Sequence, residues 1–232
     1  MDRSSLGDET RREMLEAIRR HLAASAPFDT ARAEHHPSHA TLPPIVSAVA
    51  GEAASPPVER FREALEAVAG HCVVVRGEAE AAEVLRQVLE RVNARRVALS
   101  DSPLVQSVIG RARPEAELLT DASKSELFGC DAGVTGAQWA VAETGTLVLE
   151  SDEERHRLAS LVPPVHVALI EASRIRRTLS EVLGILGEKG RDGLSRAVTV
   201  ITGPSRTSDI ELTLAIGVHG PGELFVIIIE PD

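Results

Sequence analysis

Polar segments at the ends of apolar runs hold the residues that could do chemistry. The richest is Ile201-Thr202-Gly203-Pro204-Ser205-Arg206-Thr207-Ser208-Asp209-Ile210-Glu211. Gly203-Pro204 opens a loop in which backbone can approach a ligand closely. Ser205, Arg206 and Thr207 offer hydroxyl and guanidinium donors suited to a carboxylate or phosphate. Ser208 and Glu211 fit the S-x-x-E capping box, which predicts a helix over 208–216 and places the loop at a helix N-terminus, beyond a strand's carboxyl end. Asp209 argues the other way, because a carboxylate in the first turn satisfies the helix dipole itself. The plainer alternative is a well-capped loop whose Arg206 pairs with a surface acid.

Two further segments bear on catalysis. Gly217-Val218-His219-Gly220-Pro221-Gly222 brackets one histidine with glycines. His219 could move a proton near neutral pH, or merely sit in turn chemistry. Ala142-Glu143-Thr144-Gly145-Thr146 puts a glycine between two strand-like runs. Glu143 could be a nucleophile or base at a sheet end, with Thr144, Gly145 and Thr146 beside a ligand; a hairpin turn with a solvated Glu143 is the competing reading. His35, His36 and His39 have metal-like spacing but lie in a proline-rich stretch without a rigid scaffold, so they read as a solvated linker cluster and no metal is expected. The G-x-G-x-x-G fingerprint and the Walker lysine loop are both absent.

Composition narrows the field. The 232 residues carry a formal charge of −10, which disfavours nucleic acid and anionic membrane surfaces as partners. Aromatics are 2% of the chain, too few for base-stacking platforms. No apolar run approaches the ~20 residues of a membrane span, and residues 1–20 are charged throughout, unlike a secretory signal. The two cysteines, Cys72 and Cys130, make no disulfide framework and cannot supply the four thiolates of an ordinary iron–sulfur cluster. A cytoplasmic protein without a cofactor is expected.

The positioning elements follow from periodicity. Residues 8–22 predict an amphipathic helix, and 24–57 a proline- and histidine-rich arm, either a tether or a segment that embraces a partner. From residue 58 strands and helices alternate: helix 58–68, strand 72–75, helix 78–92, strand 96–99, helix 102–110, strand 117–120. Short strands at 132–135, 139–142 and 146–149 follow, then helix 155–161, strand 165–170, helix 178–186, strand 198–201 and strand 223–229. Continuous apolar strands imply parallel pairing buried on both faces. The predicted fold is α/β: a three-layer α/β/α domain over 58–232, with a mostly parallel sheet and an antiparallel insertion, preceded by the arm 1–57.

Three blocks stand in order: 133–137 running into 142–147, Arg157-Leu158-Ala159-Ser160-Leu161-Val162-Pro163-Pro164-Val165-His166, and 203–211 followed by 217–221. Together they resemble the LUD domain family, in particular its lactate-utilisation protein C members. The resemblance implies a fold related to the sugar-isomerase and CoA-transferase superfamily, and a cytoplasmic role in oxidising L-lactate to pyruvate beside iron–sulfur proteins. Clusters would then reside in those partners, and this chain would be a cluster-free subunit or accessory protein holding a small anionic ligand, with homo-oligomers also open. By fold analogy alone, Glu143 would correspond to a CoA-transferase glutamate. The site expected on this reading joins Gly203–Thr207, Thr144–Thr146, Gly220, Glu143 and His219. A stand-alone acyl-transfer or isomerase-like enzyme and a purely structural interaction module are the alternatives.

Overall fold

A computed structural model of the chain describes Glu16 and residues 56–152, 157–208, 214–216 and 220–232; for 191–192, 207–208 and 214–216 it describes the backbone alone. The chain divides between Glu52 and Ala53, and the second unit is the one described below. Of the expected helix 8–22 only Glu16, which is helical, is described; the arm up to residue 55, with His35, His36 and His39, lies outside the described residues, as does His219.

In chain order the elements are α1 (Pro57–Ala67), β1 (His71–Arg76), α2 (Gly77–Arg91), β2 (Arg96–Leu99), α3 (Pro103–Ala112), β3 (Glu117–Leu119), α4 (Lys124–Leu127), β4 (Ala132–Gly136), β5 (Trp139–Val141) and β6 (Thr146–Glu150). A 3-10 turn, η1 (Arg157–Ser160), precedes β7 (Val165–Glu171). Then come a second 3-10 turn, η2 (Ala172–Arg174), and β8 (Ile175–Arg176), α5 (Leu179–Glu188), α6 (Gly190–Gly193), β9 (Val198–Thr202), β10 (Arg206–Ser208), β11 (Leu214–Ile216) and β12 (Glu223–Glu230).

Six strands form one sheet in the order β1-β12-β7-β4-β2-β3, and every pairing in it is parallel. The near-continuous apolar runs of β7 and β12 suit adjacent interior positions, where both faces are covered. One face packs on α2 and α3, through Leu85, Leu89, Val105, Val108 and Ile109 against Val97, Leu99, Val134, Val167, Leu169 and Ile227. The opposite face meets Phe61 and Leu65 of α1 together with Leu147 and Leu149 of β6. The expected α/β fold, a mostly parallel sheet flanked by helices, is what the chain adopts.

The insertion is larger than its sequence suggested. Strands β8-β5-β6-β9 make a second sheet, antiparallel at β5–β6 and β6–β9. Helix α5 seals its outer face with Val182 and Leu186 on Trp139, Val141 and Val148. Strand 198–202 therefore belongs to this second sheet and not to the parallel one. It runs along an edge, which leaves Val198 and Val200 exposed.

Two expectations are corrected. No helix spans 208–216: β10 and β11 pair antiparallel, with Ser208 opposite Leu214, so both ends of that stretch are strand. Leu212, Leu214 and Ile216 fit a two-residue period as well as a helical one, and Thr207 and Thr213 add β-branching that favours the strand. Where a helix is expected over 155–161, the described residues form only the turn η1, which Pro163-Pro164 follows. No helix among the described residues is long and apolar enough to cross a membrane.

Candidate functional site

The loop after β9 closes over a cavity of about 320 Å³ at the amino ends of β7 and β12. Gly203, Pro204, Ser205 and Arg206 form one wall, Gly220 and Pro221 another, and Ser160, His166 and Leu224 border the parallel sheet. Gly203 has φ 73°, and a Cβ there would lie 2.9 Å from the Val68 carbonyl oxygen, so the loop backbone is pressed against the end of α1. Arg206 Nη2 donates to that same carbonyl at 2.7 Å. The Ser205 N–H donates to the Pro221 carbonyl at 2.8 Å, which ties the two walls together. Gly220 completes the fit, since a Cβ would stand 3.2 Å from the Ser205 Cβ.

His166, the second residue of β7, is 1% exposed. Its Nε2 lies 2.9 Å from the Thr135 hydroxyl, and its Nδ1 has no hydrogen-bond partner among the described residues. Burial pushes the imidazole pKa down to about 3, so the ring is neutral at ordinary pH. Beside it, Ser160 Oγ donates to the Arg157 carbonyl at 2.6 Å. Neither His166 nor Ser160 was selected from sequence as a site residue. The available signal was a histidine within the otherwise apolar run VHVALI.

The other selected residues take different places. Glu143 Oε1 accepts the Leu179 N–H at 2.8 Å, and Thr178 Oγ1 accepts the Glu181 N–H at 3.3 Å, so both side chains satisfy donors at the start of α5. Glu143 is not among the residues lining the cavity. Thr144 and Thr146 are linked by their hydroxyls at 2.7 Å, and Thr146 joins Thr202 at 2.7 Å. Thr202 borders the cavity, so these threonines support its wall from behind. Gly145, at φ 64°, packs its backbone on Leu65: a Cβ would meet the Leu65 nitrogen at 2.4 Å. Thr207 enters β10 opposite Ala215.

Cys72 and Cys130 are poor nucleophiles. Burial, with the Glu66 carboxylate, pushes the Cys72 thiol up to about 12, and burial raises Cys130 as well. Among the described residues no group of three His, Cys, Asp or Glu side chains could hold a metal ion.

A second cavity, of about 420 Å³, lies at the carboxyl ends of β2 and β4. Their onward connections leave on opposite faces of the sheet, the arrangement that opens a crevice in α/β folds. Ser102, Gln138, Trp139, Glu150 and Lys189 are among its lining residues. Its charges are internally matched: Lys189 Nζ donates to both Glu150 oxygens, at 2.9 and 2.7 Å, and Arg174 Nε pairs with Glu171 Oε2 at 3.6 Å.

The profile of the LUD domain matches residues 58–229. An uncharacterized protein of Neisseria meningitidis is 46% identical over 114 residues, 48% of each chain. A lactate utilization protein C of Deinococcus radiodurans is 39% identical over 108 residues, 46% of this chain and 50% of that one. The protein of the same name from Halalkalibacterium halodurans is 32% identical over 157 residues, 64% and 68% of the two chains. The matched stretch thus spans about half the length of the first two of these relatives. A solved DUF162 family protein from Deinococcus radiodurans superposes with a TM-score of 0.55 at 25% identity, covering 75% of this chain and 96% of that one.

Proposed function

The chain belongs to the LUD domain family, and from that premise we propose that it serves the oxidation of L-lactate to pyruvate as a cluster-free component that holds a small carboxylate beside Arg206. The relatives named lactate utilization protein C support the process. The observation that carries the site is the meeting, around one open cleft, of the Arg206 loop, the Gly220 turn and the neutral imidazole of His166. Arg206 supplies the positive charge, since the imidazole is uncharged. Ser205, across from Gly220, offers a hydroxyl to orient the anion.

Converting lactate to pyruvate removes two electrons and two protons. Two cysteines cannot build a four-thiolate cluster, so on this reading the electrons leave through iron–sulfur partner proteins, in the cytoplasm. The domain 58–232 is the ligand-holding part and the arm 1–57 the partner-facing part. Acyl transfer through Glu143 has no place in this reading, because that carboxylate holds the start of α5.

Titration calorimetry with pyruvate and L-lactate tests it. One molecule per chain should bind, and Arg206→Ala should weaken binding about tenfold or more, the loss of a charge-assisted contact. Affinity unchanged in Arg206→Ala, or no binding to the wild-type protein, contradicts the assignment.

A further inference from the structure

We infer that His166 presents Nδ1–H as a hydrogen-bond donor to the cavity, and that the site therefore selects 2-oxo acids, whose carbonyl oxygen accepts it, over 2-hydroxy acids and simple carboxylates. The inference rests on the carboxylate-binding reading above and adds the substrate class.

The tautomer follows from counting donors. Thr135 is fully buried, and its hydroxyl has His166 Nε2 as its sole hydrogen-bond partner among the described residues, at 2.9 Å. A neutral imidazole carries one N–H. If Nε2 carries it and donates to Thr135, the threonine O–H is left without an acceptor and the Nδ1 lone pair without a donor. If the threonine O–H donates to Nε2, both of those groups are satisfied and only Nδ1–H remains unpaired. The second arrangement leaves one orphan where the first leaves two, and a buried unsatisfied donor is costly.

His166 is among the residues lining the cavity, and on this inference the partner for Nδ1–H comes from that side. A carbonyl oxygen fits, because it only accepts. A hydroxyl in that place brings an O–H that needs an acceptor of its own. A second carboxylate gains little, since the imidazole does not become a cation there. Arg206 on the loop and His166 on the sheet thus divide the ligand: the guanidinium takes the carboxylate and the imidazole the adjacent carbonyl. A site with a buried donor discriminates against analogues that cannot satisfy it.

Two readouts test this. In protein labelled with 15N-histidine at pH 7, long-range 1H–15N correlation reads the His166 tautomer without any ligand; Nδ1–H is expected, and Nε2–H overturns the inference. Competition calorimetry then compares pyruvate, L-lactate and acetate. Pyruvate should bind about tenfold or more tightly than either, a preference lost in His166→Leu and retained in His166→Asn, whose amide N–H replaces the donor. Equal affinities in the wild-type protein, still weakened by Arg206→Ala, overturn the 2-oxo acid preference and leave the carboxylate site standing. No binding of any of the three overturns both.

Discussion

Arg206 donates to the Val68 carbonyl at 2.7 Å across 138 residues of chain. Val68 ends α1, and α1 buries Phe61 and Leu65 against the parallel sheet. The cation assigned to ligand binding is therefore anchored to the core through a backbone carbonyl. Arg206→Ala is expected to lower ligand affinity about tenfold or more while reducing stability by only about 1 kcal/mol, since the side chain is exposed. Calorimetry and urea unfolding on the same samples separate the two effects; a large stability loss would make the residue structural.

Glycine placement gives a second prediction. A Cβ at Gly133 would stand 1.8 Å from the Ala159 carbonyl oxygen, so β4 can pass beneath η1 only without a side chain. Gly133→Ala should cost about 3 kcal/mol or more. Gly110 and Gly184 lie inside α3 and α5 with nothing within 4 Å of their would-be Cβ. Alanine at either should stabilise by about 0.5–1 kcal/mol. Urea midpoints of the three variants check both signs.

The Glu150–Lys189 pair gives a third. Glu150 is 1% exposed and receives both contacts from Lys189. Lys189→Met removes the cation and leaves the buried carboxylate only the long contacts from the Trp139 N–H and the Ser195 hydroxyl, at a cost of about 3 kcal/mol. Glu150→Gln in the same chain should recover much of that loss, because the stranded charge is gone. A single variant as stable as the wild-type protein would show the pair to be dispensable.

Acid should reveal His166. Its pKa falls from 6.5 to about 3 through burial. Below pH 6.5 the unfolded chain takes up a proton that the folded protein refuses until about pH 3. The stability this group confers above pH 6.5 is therefore lost as the pH falls through that window. The limiting slope is about 1.4 kcal/mol per pH unit, or roughly 2–3 kcal/mol by pH 4.5. Urea unfolding at pH 7 and 4.5 should show the wild-type protein losing that much more than His166→Asn, and equal losses would contradict a buried neutral imidazole.

Most of the architecture could be read from runs and spacing. Strand 96–99 and helix 78–92 are legible because an apolar run or a helical stripe of adequate length admits one solution. Residues 208–216 are not, since Leu212, Leu214 and Ile216 satisfy both periods and the pairing of β10 with β11 decides. Of the candidate site, Gly203–Arg206 and Gly220 do share one cavity, for the polar-loop reasons that singled them out. Glu143 does not join them, because Leu179, 36 residues away, has first use of its carboxylate. His166 escaped notice because one histidine in an apolar strand looks like filler until its two nitrogens are examined separately. The strand 198–202 joined the smaller sheet through pairing with β6, which nothing within 198–202 itself encodes.

The central assignment is tested most directly by a crystal structure of the protein grown with pyruvate. The account predicts ligand density between Arg206 and His166, with the carboxylate on the guanidinium and the carbonyl oxygen toward Nδ1. Pyruvate bound instead in the crevice beside Ser102 and Gln138, with the Arg206 cavity untouched at saturating concentration, would contradict it.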